Sequence, residues 1–360
     1  MALTATDAAT AIDWDRLLDR PPVPVDDGAL AAAFAGRRVL ITGAAGSLGR
    51  ELALRVAASA PAALTLLDSH EPSLFALRGR LLEAHPDLQP SFRLADVRSR
   101  RKIAALFAAG RPEIVFHLAA YKHVPWAEED PAEYVEANLG GGRIVAEEAA
   151  RAGVERLVYP STDKAVAPVN LYGATKRINE ALLREIAARS TVRVSVARFV
   201  NVLGSQGSVG PTFARQIAAG RPLTVIPGMA RYWIAPHHAT LLLAYAAGPA
   251  FTDPYTVLLP DALPDVPVAE VARRVWRALR PEAGEPPLAP IDPRPGERLH
   301  EELVGGEERY EGSPYPGVLR VRGVAPPPPG DMVAVGIDEL LAAVAAGVDE
   351  AELRARTLAW

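Results

Sequence analysis

RRVLITGAAGSLG, residues Arg37–Gly49, decides the reading of this chain. Arg37–Thr42 is a short run, apolar from Val39 to Ile41, that ends in glycines, and Ser47–Ala58 follows with helical spacing. A turn of this composition between a strand and a helix has a physical purpose. The glycines at Gly43, Gly46 and Gly49 permit a tight turn, close approach of backbone to a pyrophosphate, and helix–strand packing. The helix N-terminus, at Ser47 and Leu48, then offers N–H groups and partial positive charge to phosphates. A glycine-rich turn alone is weak evidence, but here an acid, Asp68, closes the next apolar run, Ala63–Asp68. A carboxylate at that place can accept hydrogen bonds from the adenosine ribose and repel a 2′-phosphate. The expected cofactor is therefore NAD, with NADP as the alternative.

Outward from this unit the pattern repeats. Helical spacing over Leu74–Ala84 is followed by a strand at Phe92–Ala95, a helix at Arg98–Ala109 and a strand at Glu113–Ala120. A long helix is predicted over Pro131–Ala152, then a strand at Arg156–Ser161, a helix at Leu171–Ala188 and a sixth strand at Val192–Val202. Strands apolar throughout, alternating with helices, predict a parallel sheet covered on both faces, a doubly wound Rossmann-type α/β fold. Asp96 and Val97, after the third strand, are placed to cradle adenine. Ala119 and Ala120, small residues ending the fourth, let a dinucleotide lie close to the sheet edge. Each of these four would serve equally as an ordinary turn or packing residue.

The regularity fails after about residue 203, where Gly- and Pro-bearing loops and short strands (Leu223–Ile226, Tyr255–Leu258) predict a smaller, irregular C-terminal substrate lobe. The expected division is a leader at 1–36, containing the stiff Pro21–Val25 stretch and a short helix near Gly28–Ala35, and a dinucleotide-binding domain at 37–203. A segment near 235–260 returns to that domain, 204–330 forms the substrate lobe, and 331–360 carries two terminal helices after the Pro326–Pro329 linker.

Bulk properties narrow the function. There are 39 Lys and Arg against 43 Asp and Glu, a formal charge of −4, so neither a nucleic acid nor a membrane surface is the expected partner. The chain has no cysteine, which excludes disulfides, thiolate nucleophiles and cysteine-ligated metals. The first residues lack a basic segment leading into an apolar run, and the Ala239–Ala247 run is too short to span a bilayer. A cytoplasmic protein without a membrane anchor is expected. His237 and His238 are adjacent without further ligand spacing, so no metal is expected.

Tyr172-Gly-Ala-Thr-Lys176 puts a phenol and an ammonium on one helical face. A nearby cation lowers a phenol's pKa, which would let Tyr172 act as a base on a hydroxyl, while Lys176 could hold the nicotinamide ribose. Just upstream, a strand ends in Ser161-Thr-Asp-Lys-Ala165. With Asn170-Leu-Tyr-Gly-Ala-Thr-Lys176, Tyr121-Lys-His-Val-Pro125, Arg198-Phe-Val-Asn-Val-Leu-Gly-Ser205 and Arg294-Pro-Gly-Glu297, the chain resembles the extended short-chain dehydrogenase/reductases. More narrowly, it resembles the polysaccharide-biosynthesis type of UDP-N-acetylglucosamine 4,6-dehydratase.

The resemblance implies a nucleotide-sugar 4,6-dehydratase that oxidises carbon 4 of a UDP-sugar, eliminates water across carbons 5 and 6, and returns the hydride to carbon 6. Thr162 and Tyr172 would serve the 4-hydroxyl, Lys164 would remove the carbon 5 proton if burial or Lys176 depresses its pKa, and Asp163 would protonate the departing 6-hydroxyl. Lys122 and His123 either face the sugar or form a solvated turn. Asn201, Ser208, Arg231, Arg294 and Glu297 are the other candidate substrate contacts, the arginines toward the diphosphate. Val200, Ala230 and Pro236 depart from the family pattern in the region of the substrate. The resemblance also implies a homo-oligomer. A 4-epimerase or 5,6-dehydratase that returns the hydride to carbon 4, and a non-catalytic dinucleotide sensor, are the competing readings. A sensor has no need of Asp163, Lys164, Tyr172 and Lys176 together.

Overall fold

The computed structural model describes residues 12–205, 207–261 and 265–360. Strands β1 (Arg38–Thr42), β2 (Ala63–Asp68), β3 (Ser91–Leu94), β4 (Ile114–His117), β5 (Arg156–Thr162) and β6 (Arg193–Phe199) lie parallel in the order β6-β5-β4-β1-β2-β3. Chain order reverses between β1 and β4, the switch point where doubly wound sheets open a crevice at their carboxyl ends. This is the doubly wound α/β fold the strand–helix alternation predicts.

The later chain supplies β7 (Asn201–Val202), β8 (Leu223–Val225), β9 (Ala230–Ile234), β10 (Tyr255–Pro260), β11 (Asp265–Pro267), β12 (Leu288–Pro290), β13 (Arg309–Gly312) and β14 (Val318–Arg322). Three of these extend the main sheet to nine strands: β10 pairs parallel with β6, and β14 and β13 follow antiparallel. The predicted sixth strand is therefore split. Its first part stays in the main sheet, while Asn201 and Val202 leave to pair with Trp233 and Ile234 of β9. β4 is also shorter than predicted, because the chain turns at Leu118, whose N–H reaches Thr42 O at 3.1 Å, to pass over Gly43.

Each face of the sheet is buried by helices. The Ser47–Ala58 and Glu71–Ala84 helices cover one side together with Pro236–Ala246, whose Leu241–Ala246 run is fully buried against β6 and β10. Helices Arg100–Gly110, Gly141–Arg151 and Leu171–Arg189 cover the other, joined by the terminal helix Met332–Ala345 through Val333, Ile337 and Leu340. Among the described residues no helix is long and apolar enough to cross a membrane. A third cluster, with Phe213, Ile217, Trp233, Val271 and Val275, forms a separate core beyond β6, and Leu17 and Leu18 of the leader pack into it.

The helix predicted over Pro131–Ala152 is continuous but widens to a π-helical turn at Val135–Gly140. That wider turn carries Asn138, which accepts from Tyr121 N at 2.8 Å and donates to Tyr121 O at 3.1 Å and Thr175 Oγ1 at 3.2 Å. It thereby ties the Tyr121–Pro125 loop to the Leu171–Arg189 helix, and a π turn at such a place is a common device of functional sites.

Candidate active site

At the switch point, Gly43 has φ +66°, and a Cβ on it would stand 2.6 Å from Ala119 N. A Cβ on Gly49 would stand 2.2 Å from Gly43 O. Both positions are closed to any side chain, so backbone meets backbone across β1, β4 and the first helix. Gly46 caps that helix without a side chain, leaving Ser47 and Leu48 to form its open first turn. Asp68 accepts from Ala45 N and from His70 N, each at 2.9 Å, which locks the turn to the end of β2. The Asp96 carboxylate is turned to Arg98 at 2.7 Å, and that hydrogen bond holds it below its usual pKa. Val97 is buried against Gly141, Ala119 lies against Gly43, and Ala119 and Ala120 are partly buried.

Two strands away, β5 ends in Thr162 and a 3-10 turn, Asp163–Ala165. Asp163 Oδ1 accepts from Thr162 Oγ1 at 2.9 Å and from Lys164 Nζ at 3.0 Å, and the Asp163 side chain is 1% exposed. The Leu171–Arg189 helix closes on this turn at Gly173, where a Cβ would lie 2.4 Å from Lys164 O. Asn170 caps the helix through Gly173 N at 2.7 Å. Tyr172, in the first helical turn, shares a hydrogen bond with Thr162.

Electrostatics here differ from the sequence-level expectation in two ways. Burial, reinforced by Asp163, raises the pKa of the Tyr172 phenol well above its usual value. Lys176 does not counter this; its Nζ donates to Pro160 O at 2.9 Å and lies 4.5 Å from the Tyr159 ring centre. Burial lowers Lys176 to about 7, with Glu180 opposing. For Lys164 burial also disfavours the charge, but Asp163 and Glu301 outweigh it and hold the ammonium above its ordinary value, the reverse of the expected depression.

The candidate substrate residues divide into groups. His123 lies against Gly207, where a Cβ would meet its ring at 2.5 Å, and burial and Lys122 lower its pKa; burial alone lowers that of Lys122. Asn201 donates to Tyr232 O at 3.3 Å. Ser208 Oγ is buried with no hydrogen-bond partner among the described residues, at the start of the Val209–Ala218 helix. Arg294 N donates to Glu297 Oε2 at 2.9 Å within an exposed turn, and Gly296 O of that turn accepts from Asn170 Nδ2 at 2.9 Å. That bond brings the Arg294–Glu297 turn onto the cap of the Tyr172 helix. Arg231 is buried, and its guanidinium donates to Ala230 O, Leu299 O and Arg298 O at 2.7–2.9 Å.

Sequence reasoning passed over Glu301, His117 and Asn138. Glu301 lies 3.3 Å from Lys164 Nζ and 3.9 Å from Arg231, in a stretch with no spacing signal. His117 is buried at the end of β4, 2.8 Å from Thr42 Oγ1, and burial drops it to about 3, so it is neutral. A lone histidine in the otherwise apolar EIVFHLAA run was the available signal.

A family profile described as "Polysaccharide biosynthesis protein" matches residues 39–323. The chain belongs to that family. It is 34% identical over 310 residues to the probable polysaccharide biosynthesis protein EpsC of Bacillus subtilis, covering 84% of this chain and 50% of EpsC. Against the capsular polysaccharide biosynthesis protein CapD of Staphylococcus aureus the identity is 33%, over 86% of this chain and 52% of CapD. The chain thus spans about half the length of these curated relatives. An inverting UDP-N-acetylglucosamine 4,6-dehydratase of Campylobacter jejuni is 34% identical over 56% of this chain and 60% of its own length. Among solved structures, Pen from Bacillus thuringiensis superposes with a TM-score of 0.73 at 25% identity, covering 82% of this chain and 89% of Pen.

Proposed function

We propose that this family member is a cytoplasmic, homo-oligomeric nucleotide-sugar 4,6-dehydratase that converts UDP-N-acetylglucosamine to a 4-keto-6-deoxy product with NAD. The observation that carries this reading is the Asp163–Lys164 pair, its carboxylate buried and its lysine partly so, beside Tyr172 at the end of β5. An enzyme that only removes and returns a hydride at carbon 4 has no need of a second acid and base. The Campylobacter relative, whose name states this activity, supports the choice of substrate.

The cradle at Gly43, Gly46 and Gly49 fits a dinucleotide, because its backbone surface is open only while no Cβ is present. Ser47 and Leu48 would face the pyrophosphate, Asp68 the adenosine ribose, Asp96 and Val97 the adenine, and Lys176 the nicotinamide ribose. Bound NAD supplies a hydride acceptor for carbon 4 and the hydride returned to carbon 6. Tyr172 takes the 4-hydroxyl proton as its phenolate, a form that burial and Asp163 disfavour, with Thr162 holding the oxygen. One proton first passes from Lys164 to Asp163 across their contact; the carbon 4 ketone then acidifies the carbon 5 hydrogen for transfer to the neutral Lys164 Nζ, and Asp163 gives its proton to the departing 6-hydroxyl. Lys122, His123, Asn201, Ser208, Arg294 and Glu297 are proposed to line the sugar and diphosphate, with the lobe at residues 204–330, less the strands that join the main sheet, as the substrate side. Arg231 we assign to holding Glu301, 3.9 Å away, since three of its donors are engaged with backbone carbonyls.

Proton NMR of the enzyme with UDP-N-acetylglucosamine and catalytic NAD in deuterated water tests this directly. A new 6-methyl signal with deuterium at carbon 5 is expected. Lys164→Met should lower product formation by about 10²–10⁴-fold while NAD affinity stays within about twofold. A product with its 6-hydroxyl retained, or a Lys164→Met variant with wild-type turnover, rejects the assignment.

A further inference from the structure

Glu301 reaches the site from the segment that follows the Arg294–Glu297 turn, and its side chain is 4% exposed. Its carboxylate lies 3.3 Å from Lys164 Nζ, on the same ammonium that Asp163 Oδ1 contacts at 3.0 Å. Arg231, itself fixed by three backbone carbonyls, stands on the far side at 3.9 Å. Asp163, Lys164, Glu301 and Arg231 thus form a buried row of alternating charge whose sum is zero when all are ionised. One carboxylate would have satisfied Lys164, and a second one buried beside it is costly unless another cation offsets it. The fold supplies that cation, so the row is built to keep two anions on one ammonium.

We propose that Glu301 is a positioning residue for the elimination, fixing Lys164 Nζ between two carboxylates and strengthening it as acceptor of the carbon 5 proton. This rests on the dehydratase reading above. The proton count closes within the row. Elimination starts with Lys164 neutral and Asp163 protonated, one proton having crossed their 3.0 Å contact. The amine lone pair forms a new N–H bond with the carbon 5 proton, and the C–H electrons become the double bond between carbons 5 and 6. The carbon 6–oxygen bond breaks, its electrons stay on oxygen, and the Asp163 proton completes water. The row ends as ammonium and carboxylate, and its net charge is zero before and after. Glu301 and Arg231 neither gain nor lose a proton in this count. Burial and the Asp163 carboxylate push the Glu301 carboxyl up, Lys164 and Arg231 pull it down, and the balance lies above its ordinary value. The other titratable groups facing this row are the Tyr172 and Tyr232 phenols, which lie near Asp163.

The test compares Glu301→Gln and Glu301→Asp in the NAD-loaded enzyme. Removing the anion weakens the base and frees its neutral form at lower pH. Glu301→Gln should therefore cut kcat about 10–100-fold with KM within about twofold, shift the acid limb of kcat down by about one pH unit, and let reduced cofactor accumulate. Glu301→Asp should recover part of the rate. An unmoved acid limb, or a raised KM at unchanged kcat, overturns the proposal. A wild-type enzyme that makes no 4-keto-6-deoxy product would instead overturn the dehydratase reading. The contact between the two side chains is then judged by a thermal double-mutant cycle of Lys164→Met and Glu301→Gln. The double variant should melt no lower than the worse single one, and additive losses overturn the proposal.

Discussion

The glycine turn after β1 and the charge row after β5 stand at the same edge of one sheet, yet they are built in opposite ways. The turn is made by leaving side chains out, within seven residues of chain, and its shape is enforced by backbone contacts such as Gly43 against Ala119. The row is made by bringing charged side chains in, from the turn after β5, from β9 and from the segment after residue 297. A site of the first kind tolerates no added atom. One of the second kind tolerates small changes of shape but not of charge.

The sharpest way to break that contrast is Gly49→Val. Its Cβ would stand 2.2 Å from Gly43 O, a backbone atom that cannot swing away. Overpacking against backbone should cost about 3 kcal/mol or more and abolish measurable NAD binding. A thermal melt and an NAD titration check this. A variant that melts within about 2 °C of wild type and still binds NAD would show that the turn has slack.

The same contrast governs how much of the molecule was legible in its sequence. The parallel sheet, the glycine turn and Asp68 could be read because each depends on neighbours within one strand–turn–helix unit. Thr162, Asp163, Lys164 and Tyr172 could be singled out for the same reason, as two short motifs. What they do to one another could not. The expectation that Lys176 lowers the Tyr172 phenol used helical spacing alone, and it missed that Pro160 O and the Tyr159 ring draw the ammonium aside. Glu301 was invisible because nothing within its own stretch distinguishes it from Glu302. β13 and β14 were hard to place because their pairing runs across long stretches of chain, as where Val257 of β10 pairs with Val321 of β14.

Two lysines, Lys176 buried and Lys164 partly so, sharpen the comparison further. Lys164 sits between carboxylates and is held charged, whereas Lys176, with only Glu180 opposing its burial, falls to about 7. Between about pH 7 and its ordinary value of 10.5, the unfolded chain carries a proton on Lys176 that the folded chain has released. Stability contributed by this residue therefore rises with pH across that window, and below pH 7 the whole burial penalty is present. Lys176→Met removes that slope. Its melting temperature relative to wild type should be highest below pH 7 and decline toward pH 10, while turnover is lost throughout. Parallel melting curves for the two proteins would show that Lys176 is charged in the folded state.

The smallest effect is expected where the terminal helices touch the site. Arg354, in the Glu350–Leu358 helix, pairs with Glu128, whose other oxygen accepts from Leu171 N at 2.8 Å at the start of the Tyr172 helix. Arg354 is 36% exposed, and ion pairs of that kind contribute about 0–1 kcal/mol. Glu128 keeps its bond to Leu171 N when the arginine is gone, so the helix start stays fixed. Arg354→Gln should lower the melting temperature by about 1–3 °C and change kcat by less than about threefold. A tenfold fall in kcat at unchanged KM would mean that Glu128 needs its counter-ion to hold the Tyr172 helix. The long-range charge network would then run through the terminal helices as well, and the line drawn between local turn and distant row would have to enclose both ends of the Tyr172 helix.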